Sequence, residues 1–307
     1  MAFTAKDVAE LRKQTGCGMM DCKRALEAAD GNMEEALKVL REKGMAASAK
    51  KQSRIAAEGL VDILTLGNTT AMIEVNSETD FVAKNETFRA FVRSLLETVI
   101  ATRPASVEEL MTKTMADGQT VEAAMQEKTF TIGEKLSLRR FVMVEGVVST
   151  YVHGGGATGV IVTFEADEAV VANPAFAEFS KNIALQCAAL PSQYVDRDAV
   201  PASVIEEERA ILEKQMELDP KFAGKPAKVI AGIVSGKLGK FYETNCLVDQ
   251  LYVKDDSMTV GKYVAATAKE LGGAIKITGF YRYDKGEGIE KREDNLADEV
   301  AKMVGGN

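Results

Sequence analysis

The stretch EGLVDILTLGNTTAMIEVNSETDFVAKNETFRAFVRSLLETVI, residues 58–100, sets the architecture that the rest of the chain repeats and extends. Two extended runs, residues 60–66 and 70–76, are joined by Gly67-Asn68, a dipeptide typical of hairpin turns. After the polar loop 77–80, apolar residues recur at the spacing of one buried helix face. These residues are Phe88, Phe91, Val92, Leu95, Leu96, Val99 and Ile100. We therefore predict a β-hairpin with one helix packed against it.

A second unit with the same order of elements follows at an offset of 87 to 88 residues. The matched positions are Glu58–Val61 with Glu145–Val148, Gly67 with Gly154, Asn85 with Asn173, and Phe88 with Phe176. We infer an internal duplication of the hairpin-plus-helix unit. The two copies either pair edge to edge or pack face to face.

The turn of the second unit, residues 154–159, satisfies the dinucleotide pattern G-x-G-x-x-G. Another extended apolar run, residues 160–164, follows it. A dinucleotide site requires the N-terminus of a helix at that point, to hold the pyrophosphate. We therefore interpret the glycines as a hairpin turn and predict no cofactor.

Helical patterns flank and interrupt the two units. Capping and stop signals, of which Asn32 and Gly44 bound the last helix, predict three short N-terminal helices. The chain is thus predicted to be an α+β protein with small antiparallel sheets. Its predicted parts are a three-helix module (1–44), a linker (45–56), a first core subdomain (57–144), a second core subdomain (145–200 and 242–288), an inserted antiparallel helical hairpin (201–241) and a C-terminal helical module (289–307).

The composition excludes several classes of function. Lys and Arg number 38 against 46 Asp and Glu, a net charge of −8. No long-range basic field attracts phosphate backbones, so we expect no direct nucleic-acid partner. One histidine and four scattered cysteines argue against a metal site or a disulfide framework. P-loop and G-x-S-x-G patterns are absent from the sequence, so no enzyme class is indicated.

The sequence also carries no sign of a membrane or secretion segment. No run approaches 18 apolar residues, and the first residues lack a basic region followed by an apolar one. We expect a cytoplasmic protein without a membrane partner.

Three positions stand out as candidate contact residues. Phe81 lies between the polar loop and the apolar helix face, with Asp80 expected to cap a short turn that starts at Phe81. Its ring is either a hydrophobic staple at the edge of the core or an exposed interface anchor. Met19 and Met20 are adjacent, so on a helix they point about 100° apart and we expect one to be exposed. That side chain fills a core gap or meets a partner. His153 is expected at a strand end on the surface.

Two long motifs carry a resemblance to a known family. LRKQTGCGMMDCKRAL, residues 11–26, resembles the N-terminal signature of translation elongation factor Ts, and EVNSETDFVAK, residues 74–84, resembles its second signature. The likeness extends over essentially the whole chain. It implies a guanine-nucleotide exchange factor for elongation factor Tu, not an enzyme, with a UBA-like N-terminal module.

The resemblance also implies roles for particular residues. The loop 79–82 is expected to push into the GTPase domain of the partner, where the ring of Phe81 disturbs the site of the magnesium ion and phosphates. The helical hairpin resembles the family's dimerisation element, although such a hairpin can also simply lie on the surface. The C-terminal helix resembles its partner-docking module. The residues assigned to partner binding are Met19, Met20, Thr79, Asp80, Phe81, Val82 and His153.

The alternative hypothesis is an enzyme that acts on a small molecule. It would use the cleft between the two repeated subdomains, with Asp80, Glu78 or His153 as the acid or base.

Overall fold

The computed structural model describes residues 3–222 and 224–290, and within these ranges it confirms the predicted α+β class. The strands form three small antiparallel sheets. The helices are α1 (Ala5–Thr15), α2 (Met19–Ala28), α3 (Met33–Lys51), α4 (Asp80–Lys84), α5 (Glu86–Thr102), α6 (Val107–Thr112), α7 (Val121–Ile132), α8 (Glu168–Val171), α9 (Pro174–Ala189), α10 (Ala202–Leu218), α11 (Ala227–Asn245) and α12 (Val260–Leu271). The strands are β1 (Glu58–Leu66), β2 (Thr69–Ser77), β3 (Ser137–Glu145), β4 (Val147–His153), β5 (Thr158–Ala166), β6 (Leu251–Tyr252), β7 (Asp255–Thr259) and β8 (Ile275–Asp284).

The first unit is the predicted hairpin with its helix. β1 and β2 pair antiparallel around the Gly67-Asn68 turn, and β3 adds to the other edge of β2. Every residue of β2 is buried because strands flank it on both sides and apolar layers cover both faces. α5 covers one face of this sheet with the predicted apolar residues, including the fully buried Phe88 and Leu95.

The second unit has the same arrangement of a three-stranded sheet and a helix, as the hairpin-plus-helix repeat predicts. β5 is the central strand between β4 and β8, just as β2 is central in the first sheet. The matched asparagines cap the N-terminus of the helix in both units. Asn85 accepts a hydrogen bond from the backbone of Thr87 at the start of α5, and Asn173 accepts one from Ala175 at the start of α9.

The two sheets pack face to face through a shared apolar cluster. Val61 and Met72 of the first sheet meet Ile161 of the second there. Gly159 permits this close approach, because a Cβ at that position would lie 2.5 Å from a methyl of Val61. The turn of the second hairpin is also bonded to the first sheet, since the Val61 amide donates to the Gly156 carbonyl at 2.8 Å.

A buried carboxylate fastens the end of β8 to the first sheet. The fully buried Glu74 accepts hydrogen bonds from Arg139 at 3.0 Å, from Arg140 at 2.6 Å and from the Gly286 amide at 2.8 Å. Burial alone would raise the pKa of Glu74, but the bonds from Gly286, Asn76 and Arg140 outweigh it and lower that pKa. The carboxylate is therefore ionised and paired at neutral pH.

The N-terminal module has the three predicted helices, but the last is longer than expected. Gly44 was predicted to end α3 and residues 45–56 to form a linker, yet the helix continues to Lys51. The reason is packing against α7, because Gly44 is buried where a Cβ would lie 3.6 Å from the Cβ of Phe130. That tertiary contact outweighs the low helix propensity of glycine.

The inserted hairpin of α10 and α11 has a small core of its own. Leu212 and Met216 of α10 pack against Val234 and Leu238 of α11. Its two ends meet at the body of the second unit, where Tyr194 and Cys246 form a parallel bridge. The predicted C-terminal helix, with Leu296, Val300 and Met303, lies outside the described residues.

Candidate functional site

The loop after β2 presents Phe81 to solvent. Phe81 is 79% exposed, whereas the neighbouring Val82 is buried in the core of the first unit. The short helix α4 therefore turns Val82 inward and Phe81 outward. Of the two alternatives for the ring, the edge of the core is wrong and the exposed position is confirmed. Val82, which is also among the predicted contact residues, packs in this core and anchors α4 there.

Asp80 does not cap this helix as predicted. Thr79 occupies the capping position, and Asp80 is the first helical residue. Its carboxylate pairs with the Lys84 ammonium at 2.5 Å, and this hydrogen bond lowers the pKa of Asp80. Lys84 also lies 5.9 Å from the centre of the Phe81 ring. The exposed ring is thus flanked by a paired acid and base on the same turn.

His153 is placed at the end of β4, exposed as predicted. Its Nδ1 lies 3.0 Å from the Tyr151 hydroxyl, which orients the imidazole. The following turn contains three glycines with positive φ, from 56° to 109°, a conformation that favours glycine. Arg89 donates a hydrogen bond to the carbonyl of Gly155 in that turn.

Phe81 and His153 stand beside a common groove between the two units. Asp80, Lys84 and Arg89 line one side of this groove, and the turn at 154–157 lines the other. The residue next to Phe81 and the residue next to His153 thus face the same depression. The structure therefore brings to one groove the neighbours of two predicted contact residues that are 72 positions apart in sequence.

Met19 and Met20 begin α2 on the N-terminal module. They are 52% and 56% exposed, so the expectation that only one is exposed is wrong, and neither fills a gap in the core. The positions under the start of α2 are occupied by Cys17 and Cys22, which are both buried. The two methionines form a second exposed apolar site, on an element separate from Phe81.

The proposed acid–base residues of the enzyme hypothesis each have a local partner. Asp80 pairs with Lys84, His153 bonds to Tyr151, and Glu78 accepts a hydrogen bond from the Lys135 amide at 2.6 Å. Burial raises the pKa of Cys187 to about 12 and that of Cys246 to about 11, so both thiols are protonated at neutral pH.

In residues 3–222 and 224–290, no three His, Cys, Asp or Glu side chains are grouped so that they could hold a metal ion. Nor does any helix in those ranges have the length and apolar character needed to cross a membrane.

One residue at this site, Glu134, gives no signal in the sequence. Glu134 accepts hydrogen bonds from the Thr79 amide at 2.9 Å and from the Thr79 hydroxyl at 2.6 Å. The two residues are 55 positions apart, and no motif or spacing links them. Only the fold reveals this contact.

One comparison with known proteins bears on this site. A family model described as "Elongation factor TS" matches residues 78–287, more than half of the 307 residues. The matched region includes the loop with Phe81 and the strand end with His153. It begins after Met19 and Met20, so it does not include the N-terminal module.

Proposed function

Because this chain belongs to the elongation factor Ts family, whose members are nucleotide exchange factors for elongation factor Tu in translation elongation, we propose that it promotes the release of GDP from that GTPase. It does so by inserting the loop 79–82 into the GTPase. The single observation that carries the mechanism is the exposure of Phe81 on a short helix whose next side chain is buried. Insertion of its ring disturbs the site of the magnesium ion and phosphates in the GTPase.

Exchange of this kind follows from binding thermodynamics. A protein that binds the nucleotide-free GTPase more tightly than the loaded one weakens nucleotide binding by the same factor. No covalent bond has to be made or broken, so the role needs no general base and no nucleophile. A ring that fits only after the partner's helices move supplies the required difference in affinity, because packed helices shift between discrete arrangements.

The remaining contact residues extend the proposed interface. Asp80 and Lys84 surround the ring with paired charge, and His153 stands across the groove with its imidazole oriented by Tyr151. Met19 and Met20 add an apolar contact for the GTPase domain, for which methionine is suited by its flexible side chain. Thr79 holds the loop in position.

Stopped-flow fluorescence tests the exchange role directly. Elongation factor Tu loaded with a fluorescent GDP analogue is mixed with excess unlabelled GDP, with and without this protein. We expect the release rate to rise with the concentration of the protein and then to saturate. A release rate that does not change at any concentration overturns the proposal.

We also propose that the protein acts in the cytoplasm, where elongation takes place, and that two copies associate through the hairpin of α10 and α11. Ile211 and Leu218 on α10 and Val229 on α11 are large apolar side chains that this hairpin leaves exposed. Sedimentation equilibrium of the free protein tests the association. A dimer that dissociates on Ile211→Glu supports it, and a monomer at all concentrations overturns it.

A further inference from the structure

We propose that Glu134 is a positioning residue for nucleotide exchange, because its carboxylate fixes the backbone from which Phe81 projects. The inference rests on the proposed function, since it concerns how the Phe81 ring is presented to the partner. Glu134 lies directly after Gly133, the left-handed residue with φ of 87° that ends α7. The end of one helix thereby holds the start of another.

The contact between Glu134 and Thr79 uses both carboxylate oxygens. Oε2 accepts from the Thr79 amide at 2.9 Å, and Oε1 accepts from the Thr79 hydroxyl at 2.6 Å. Hydrogen bonds to a charged acceptor are stronger than neutral ones, and two of them to one residue also fix its orientation. Thr79 is two positions before Phe81.

The hydroxyl of Thr79 bonds to Glu134 and does not cap α4. Thr79 is the capping residue of α4, with an extended backbone of φ −124° and ψ 157°, yet its side chain makes no bond to the helix. A threonine at this position usually accepts from an amide in the first turn. With five residues and no side-chain cap, α4 is too short to define its own direction. Its direction therefore depends on where Thr79 is anchored.

A reciprocal bond runs the other way between the same two loops. The Glu78 carboxylate accepts from the Lys135 amide at 2.6 Å and pairs with Arg54 at 3.1 Å. The Lys135 ammonium in turn donates to the carbonyls of Gln52 at 2.6 Å and Arg54 at 2.8 Å. Each loop thus supplies a carboxylate for the other's backbone, and the segment after α3 is bonded to the same point.

The far end of α4 is fixed independently of Glu134. Val82 packs into the core, and the Asn85 amide donates to the Val82 carbonyl at 3.0 Å. Without Glu134 the start of α4 is still held by the Ser77 hydroxyl, which donates to the Thr79 carbonyl at 2.9 Å, and by the bond between Glu78 and the Lys135 amide. These contacts restrict the Thr79 amide and side chain less than the two bonds from Glu134 do, so the direction of α4 becomes less fixed. The fraction of molecules with Phe81 in the productive orientation then falls, and the apparent exchange rate falls in proportion.

A double-mutant cycle in the full-length chain tests this role. We expect Glu134→Ala to lower the rate of GDP release from elongation factor Tu about five- to tenfold, as for the loss of charge-assisted hydrogen bonds. In the Phe81→Ala background the same change should lower the rate less than twofold, because no ring remains to be positioned. Equal factors in the two backgrounds, or no effect of Glu134→Ala alone, overturn the inference.

Two controls separate positioning from general stability. Ser106→Ala removes the bond by which Ser106 caps α6, and it should lower the thermal midpoint while the exchange rate stays unchanged. Glu134→Gln keeps one acceptor for the Thr79 amide, so its rate should fall between those of the wild type and Glu134→Ala. A rate for Glu134→Gln as low as that of Glu134→Ala, or a slow Ser106→Ala variant, counts against positioning. If Phe81→Ala promotes exchange at the normal rate, insertion of the Phe81 ring is not the mechanism, and the proposed function and this inference are both overturned.

Discussion

Truncation of Phe81 to alanine tests whether its ring serves the contact with the partner or the stability of the fold. Its ring is 79% exposed, so the protein's own atoms cover only about one-fifth of it. Full burial of such a side chain contributes about 1.5–3 kcal/mol. Phe81→Ala should therefore cost about 0.3–0.6 kcal/mol of folding free energy but about 1.2–2.4 kcal/mol of the contact with the partner.

These two free energies predict results in different assays. The folding cost lowers the thermal midpoint by about 1–2 °C in a chain of this size, measured by scanning calorimetry. The lost contact slows GDP release about 8- to 60-fold, measured by stopped-flow fluorescence with a subsaturating amount of the protein. A drop in thermal midpoint of more than about 6 °C would show that the ring is structural, and the reasoning would be refuted.

Phe88→Ala is the matched control, because it makes the same chemical change seven positions later. Phe88 is fully buried in the first unit, so its truncation should cost about 3–5 kcal/mol of folding free energy. Phe88→Ala should therefore lose folding stability, whereas Phe81→Ala should keep its stability and release GDP from the partner slowly. Similar stability losses for both would contradict the placement of Phe81 outside the core.

Four further substitutions test the fold that positions this loop. Glu74→Gln leaves two arginines without their buried carboxylate, so we expect a loss of about 3–5 kcal/mol in urea unfolding at pH 7. The pKa of folded Glu74 lies below its ordinary value of 4.5, so this stabilisation is complete well above that value and is lost as the pH falls below it toward the folded pKa. The deficit of Glu74→Gln should therefore shrink as the pH is lowered below 4.5, and a constant deficit would contradict the pairing. Asn85→Ala and Asn173→Ala each remove a helix cap and should each cost about 1 kcal/mol, while an effect in only one unit would argue against their equivalence. Gly159→Ala places a methyl against Val61 between the sheets and should cost about 1–3 kcal/mol, with an unchanged urea midpoint as the result that counts against face-to-face packing.

The hairpin-plus-helix units could be predicted because their signals are local. Gly67-Asn68 supplies the turn, and the apolar residues of α5 follow one helical face, of which only Ile100 is less than fully buried. The packing of the two sheets could not be predicted in this way. It depends on contacts such as Gly159 with Val61, which link the two units and leave no pattern in either.

The sequence-based predictions that proved wrong failed because long-range contacts outweigh local propensity. Gly44 looks like a helix end when only its neighbours are considered, but it is buried where α3 packs on α7, the helix that carries Phe130, 86 positions away. Met19 and Met20 are both exposed because Cys22, Ala25 and Leu26 form the buried face of α2. The anchor of the Phe81 loop, Glu134, is likewise distant in sequence. Local propensity describes elements well, whereas the details of the site depend on long-range contacts.

The parallel bridge between Tyr194 and Cys246 means that the chain leaves the second unit and returns to it at almost one point. The hairpin of α10 and α11 lies between those residues as a branch, because its buried apolar side chains pack against one another. Such a branch is a natural grafting site. A fluorescent reporter or an affinity tag could replace the tip of the branch, and the body of the protein would fold around the same two stem residues as before.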